Sequence, residues 1–184
     1  MKNIELEIRT ATLSANDKKL VGYVIKWGLR SHVLWDEFVE QFALNAFSNS
    51  LSKGSDVRAL YEHDYTNLLG RTTSGTLQLT EDEIGLRFEL TPPDTQLGRD
   101  VLTLVERGDI SGMSFGFRTI KDQWDIGQEP YVRTVLEAEL HEITITSLPA
   151  YPDSGVEIAK RSLTLSKPQA VKDFDRWLQL AEVE

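Results

Sequence analysis

The 184-residue chain is 40% hydrophobic and 27% charged, a balance that suits one globular domain and excludes disordered, collagen-like and coiled-coil classes. Its formal charge of −9 argues against nucleic acid as a main partner, because phosphate binding needs clustered Lys and Arg. With no cysteine, disulfides, thiolate metal sites and a cysteine nucleophile are all removed from consideration.

The opening MKNIELEIRTATL alternates charged and apolar residues and lacks the continuous apolar stretch of a signal peptide. No segment approaches the roughly 20 apolar residues needed to span a bilayer, so no membrane association is expected. LVGYVIKW (20–27) reads as a buried strand. From Glu37 to Leu51 the apolar residues Phe38, Phe42, Leu44 or Ala46, Phe47 and Leu51 recur at three- to four-residue steps, which predicts a helix stopped by Ser52-Lys53-Gly54. VRALYEH (57–63) returns to strand character. In GTLQLTEDEIGLRFEL (75–90), Leu77 and Leu79 alternate on one arm and Leu86, Phe88 and Leu90 on the other. That is a hairpin, with its acidic tip solvated.

TPPDT (91–95) breaks the strand and offers Asp94 or Thr95 as a helix N-cap. A helix is predicted over 96–108, with Leu97, Val101, Leu104 and Val105 inward and Gly108 as its stop. DISGMSFGFRTI (109–120) and VRTVLEAELHEITITSL (132–148) supply further strands, with a loop around Trp124 and Gly127 between them. The stretch 159–170 has linker composition, and Val171, Phe174, Trp177, Leu178 and Ala181 form an amphipathic stripe beyond it. The expected organisation is a β-rich α+β domain over residues 1–158, followed by a linker and C-terminal helix over 159–184.

Candidate chemistry centres on Ser114. If Met113, Phe115 and Phe117 share the core face of their strand, Gly112, Ser114 and Gly116 share the other. A serine framed by two glycines on an open face leaves room for a peptide to lie against the strand. A hydroxyl becomes a good nucleophile once a base takes its proton, and histidine suits that task near neutral pH. Of the three histidines, His32 lies in a loop-like segment without interpretable company. His63 ends an extended segment and precedes Asp64, and His141 lies within a strand beside Glu142.

Parity in LHEITITSL puts Ile143 and Ile145 on the core face and Glu142, Thr144 and Thr146 with Ser114 on the other, although Leu140 and Leu148 have the parity of Glu142. Glu142 is therefore preferred as the acid that orients a catalytic histidine, with His141 second. Isolated serine and histidine motifs are more often structural than catalytic, and on these features alone that reading leads. There is no Gly-x-Ser-x-Gly elbow, no His-Glu-x-x-His zinc pattern and no phosphate loop.

Taken in order, ALYEHDYTNLLGRTTSGTLQLTEDEIGL (59–86), PDTQLGRDVLTLVERGDISGMSFGF (93–117) and LEAELHEITITSLPAYPDS (136–154) resemble the prohead protease family of tailed bacteriophages. The resemblance runs from about Val21 to about Arg161 and reverses the weighing above. It implies a single-domain β-barrel with helices packed around it, related in fold to herpesvirus assembly proteases. It also implies a serine endopeptidase that works inside the immature capsid in the host cytoplasm. Such an enzyme cleaves a scaffold protein, or the scaffolding domain of the major capsid protein, and also itself.

Carried onto this chain, His63 is the base and Ser114 the nucleophile. Glu142 is the third member, with His141 the second choice, and Gly112 and Gly116 provide clearance for substrate. No cofactor or metal is implied, and self-association is compatible with the sequence. Gly70-Arg71-Thr72 is read equally as a substrate contact or a structural turn. The oxyanion-hole donors, near Ser114 or in the Pro149–Tyr151 turn, are left open. A different-class alternative is a catalytically inactive scaffold or assembly protein of the same fold, and an esterase on the same Ser–His site ranks below both.

Overall fold

A computed structural model of the chain describes residues 19–147. Two sheets account for most of them. In the first, β1 (Leu20–Lys26) pairs antiparallel with β6 (Gly85–Leu90), which pairs in turn with β5 (Leu77–Glu81). The β5–β6 hairpin expected from the alternating leucines is present. Its turn is latched by Asp82, whose carboxylate accepts from Tyr23 Oη at 2.8 Å and from the amides of Ile84 and Gly85.

The second sheet is built on one long strand, β8 (Tyr131–Thr146). Strand β7 (Gly112–Asp125) runs antiparallel along nearly all of one edge of β8. The other edge is shared: β2 (Phe38–Phe42) pairs parallel with its first part, and β3 (Arg58–Tyr61) parallel with its last. Strand β4 (Asp64–Arg71) then extends the sheet beyond β3. Between β2 and β3 the chain itself satisfies the exposed edge of β8. Ala138 N–H donates to Ala46 O at 2.8 Å, and Leu140 N–H donates to Ser50 Oγ at 3.1 Å.

Three expectations are corrected here. The barrel does not close: among the described residues the strands form separate sheets of three and five strands. The helix over 37–51 is instead strand β2 followed by a turn and a five-residue helix, α1 (Ser48–Ser52). Phe38 and Phe42 are four apart, which places them on one face of a helix and equally on one face of a strand. Asn45, at φ +61°, turns the chain between the two elements. Finally, Trp124 belongs to β7, not to a loop, and it meets Phe38 edge-on with ring centres 4.9 Å apart.

Helix α2 (Gln96–Glu106) forms where it was expected. Thr95 is its N-cap, accepting from Gly98 N–H, while Val101 and Val105 are buried. The core brings both sheets together, with Phe88, Leu86 and Leu20 from the first and Phe42, Phe115, Ile143 and Ile145 from the second. The amphipathic stripe at the C-terminus and the 159–170 linker lie outside the described residues.

Farther along β8, Arg133 is 1% exposed and bonded at all three side-chain nitrogens: Nη1 donates to Glu40 at 2.6 Å, Nε to Asp122 at 2.8 Å and Nη2 to Thr119 at 2.9 Å. Burial pushes the Glu40 carboxyl up, and the adjacent guanidinium opposes that shift. Arg133→Leu would strand these carboxylates. It is expected to cost about 3–5 kcal/mol in a urea-unfolding measurement, as removal of one partner from a buried ion pair does.

Candidate active site

Register on β7 and β8 decides which side chains meet. Met113 lies opposite Ile145 and Phe115 opposite Ile143, all four in the hydrophobic core. The other face of the same rungs carries Gly112 opposite Thr146, Ser114 opposite Thr144, and Gly116 opposite Glu142. Ser114 and Glu142 are thus diagonal neighbours, a separation of roughly 7–8 Å between such positions. The ambiguity over Leu140 is resolved by a bulge. Gly116 pairs with Glu142 but Phe117 pairs with Leu140, so His141 is the extra residue between them. Leu140 and Ile143 therefore both face the core while Glu142 faces away, and His141 is exposed.

The side of the sheet that carries Ser114 is polar, but it is not open. Ser114 is 6% exposed, Glu142 4% and Thr144 0%. Alternation identifies a second face without revealing what packs over it. Part of the cover is the turn from β3 to β4. Tyr61 and Asp64 are paired, and between them Glu62 (φ +53°) and His63 (φ +54°) both lie in the left-handed region. That is the two-residue hairpin geometry usually given to Asn-Gly. Two larger side chains there cost roughly 1–2 kcal/mol each in backbone strain.

This turn delivers the His63 ring to β8. His63 Nδ1 lies 2.9 Å from Glu142 Oε1, and Thr144 Oγ1 donates to Glu142 Oε2 at 2.5 Å. A carboxylate only accepts, so the contact assigns the proton to Nδ1 and leaves Nε2 of the neutral ring as an acceptor. Nε2 is buried without a hydrogen-bond partner among the described residues. Asp64, the other half of the His-Asp pair, is held low by hydrogen bonds from the Thr66 hydroxyl and amide, which fix the start of β4.

A model of the family described as caudovirus prohead serine protease matches residues 4–168. The chain belongs to this family. It is 26% identical over 101 residues to the prohead protease of Escherichia phage T5, an alignment covering 55% of this chain and 45% of that protein. It is 29% identical over 138 residues to the prohead protease of Enterobacteria phage HK97, covering 73% of this chain and 57% of that protein. The chain therefore spans about half the length of the curated relatives it matches. No solved structure matches it significantly.

Within this family member, the Gly70-Arg71-Thr72 segment has local work. A Cβ at Gly70 would meet Leu90 Cδ1 at 2.6 Å, Arg71 forms an ion pair with Asp56, and Thr72 Oγ1 donates to Ser55 O at 2.9 Å. Among the described residues no group of three or more His, Asp or Glu side chains is arranged to hold a metal ion. Glu62 escaped the sequence reading, and Thr144 entered it only by its parity, without a role. Thr144 had the right parity beside Glu142, but a threonine in a strand carries no signal of its own. His32 is exposed on the loop before β2.

The bareness of Gly116 has an occupant. A Cβ there would lie 2.8 Å from Glu142 Oε1, the oxygen that meets His63. Gly116→Ala is expected to displace the carboxylate and cost about 1–3 kcal/mol of stability by overpacking. Thermal unfolding should record that loss, and proton NMR should show the His63 Nδ1–H signal weakened. Thr144→Val, nearly the same shape, is expected to lose about 1.5–3 kcal/mol, the worth of a hydrogen bond to a charged group.

Proposed function

We propose that this chain is the serine endopeptidase of prohead maturation, with Ser114 as nucleophile, His63 as general base and Glu142 as the acid that orients it. The observation that carries the reading is the His63 ring, bound at Nδ1 by a carboxylate and left at Nε2 with a buried acceptor that has no partner among the described residues. This is the arrangement an acyl-transfer base needs, with one ring nitrogen fixed by an acid and the other kept for the nucleophile's proton. Register supports the placement of Ser114, since it shares the Glu142 face of the sheet. Glu142 is favoured over His141, which is the exposed residue of the bulge.

In the proposed reaction Ser114 Oγ attacks the scissile carbonyl and passes its proton to His63 Nε2. Glu142 stabilises the imidazolium that forms. Collapse of the tetrahedral intermediate breaks the peptide bond, and the imidazolium protonates the leaving amine. Water then attacks the acyl-enzyme by the same route and regenerates Ser114. Gly112 is proposed to give the substrate backbone room beside the nucleophile. Gly116 is assigned that role together with the clearance it gives Glu142.

The proposed substrates are a scaffold protein, or the scaffolding domain of the major capsid protein, and this chain itself. The proposed place of action is the interior of the immature capsid in the host. A relation in fold to herpesvirus assembly proteases belongs to the same proposal. The linker composition of 159–170 makes it the proposed self-cleavage segment.

Co-expression with the cognate capsid or scaffold protein tests the assignment. Wild type should cut the partner, and Ser114→Ala and His63→Ala should leave it intact. Glu142→Gln should slow cleavage by on the order of 10²-fold or more, the range associated with a positioned base. Cutting by Ser114→Ala at the wild-type rate would remove the serine mechanism. Intact-mass measurement of wild type against Ser114→Ala checks self-cleavage, for which equal masses are the negative result.

A further inference from the structure

The turn that carries His63 uses two consecutive left-handed residues, neither of them Asn or Gly. Backbone of this kind persists when its surroundings over-determine it. Here the surroundings are the end of β8. Glu62 N–H donates to Ile145 O at 3.1 Å. The Glu62 carboxylate then accepts three hydrogen bonds: from Thr146 Oγ1 at 2.7 Å, from Ser147 N–H at 2.9 Å and from Ser147 Oγ at 2.9 Å. Thr146 is buried and lies opposite Gly112, two residues before Ser114. Glu62 thus ties the backbone of the histidine turn to the rung beside the nucleophile.

The chemistry of this clamp is that of a charged acceptor. Burial disfavours the Glu62 carboxylate, but the Ser147 amide and the Thr146 and Ser147 hydroxyls more than offset it and hold the group below the usual glutamate range. Three donors converging on one carboxylate form a connection that a shorter or neutral side chain reproduces only in part. His63 is consequently fixed from two directions, its ring by Glu142 and its backbone by Glu62.

We propose that Glu62 is a positioning residue for the reaction, holding the Glu62–His63 turn against the end of β8 so that the His63 ring keeps its place between Glu142 and Ser114. This inference rests on the catalytic reading above and adds to it a residue that touches neither substrate nor the reacting atoms.

The decisive variant is Glu62→Asn. Asparagine is at home in this turn geometry, so the backbone conformation is retained while the clamp on Thr146 and Ser147 is lost. The probe is diisopropyl fluorophosphate with the purified full chain, its adduct on Ser114 followed by intact mass. For Glu62→Asn the maximal labelling rate should fall by on the order of 10²-fold, the effect of a roughly 1 Å misplacement, with half-saturation little changed. Glu62→Gln, which keeps the length and one acceptor oxygen, should recover part of that rate. The far-downfield proton signal of an imidazole N–H donating to a carboxylate should be present in wild type and Ser114→Ala. It should be lost or broadened in Glu62→Asn.

A merely structural Glu62 predicts wild-type labelling and an unchanged His63 signal in folded Glu62→Asn, and that result overturns the proposal. Should Glu62→Asn fail to fold, Thr146→Val cuts the clamp from its other end and is judged by the same two measurements. Failure of the catalytic reading looks different. In that case Ser114→Ala and His63→Ala label as wild type does, whatever Glu62 does.

Discussion

The register between β7 and β8 is the constraint on which the candidate site rests. Side chains in a strand alternate with period two, so a slip of one residue would send Ser114 into the core and Phe115 out of it. What prevents the slip is apolar: Met113 and Phe115 face Ile145 and Ile143, and Phe115 also meets the rings of Phe42 and Phe47 edge-on. The same pairing puts Glu142, Thr144 and Thr146 on the far side, within reach of the β3–β4 turn. The bulge at His141 completes the arrangement. By adding one residue to β8, it lets Leu140 remain in the core without pulling Glu142 in after it. Hydrophobic packing on one face thereby fixes polar geometry on the other.

That geometry has a thermodynamic cost which the fold concentrates in a small region. Buried polar groups at Ser114, Glu142, Thr144 and Thr146 must find partners inside the protein. Two left-handed residues next to them add backbone strain. An interior selected for stability alone would fill these positions with Val and Ile and close the hairpin with Asn-Gly. The large core shared by the two sheets supplies the surplus, with more than twenty buried apolar side chains contributing roughly 1.5–3 kcal/mol each for the larger ones. The proposed catalytic role would account for polar groups and strain being concentrated here.

Much of this was legible in the residue order, and the misses have physical causes. The β5–β6 hairpin and α2 could be read because each combines a clean period with a distinct stop or cap, Gly85 in one and Thr95 in the other. Strand β2 was misread because its phenylalanines sit four apart and both faces are buried. Glu40, which would mark an exposed face, is instead paired with Arg133 from a strand 93 residues away. No local window contains that information. The parity of Ser114 and Glu142 was correct, but whether that face was open depended on what lay over it. The His63 contact likewise depends on a turn in which neither residue is one that such turns favour. His63 and Glu142 are 79 residues apart in sequence, and the parallel pairing of β3 with β8 is what joins them.

Strand β8 carries two buried polar clusters, and their difference bears on function. Around Arg133, three nitrogens have three oxygen partners, and the guanidinium lies 5.8 Å from the centre of the Trp124 ring. Each guanidinium nitrogen there is engaged, and arginine does not give up its proton. It reads as a device that fixes β2 and β7 on β8. Around His63 the accounting stops one partner short. Glu142 is satisfied by Thr144 and Nδ1, while Nε2 has no partner among the described residues. An otherwise immobilised ring whose second nitrogen has no partner among the described residues is the feature on which the proposed role of His63 as base for Ser114 rests.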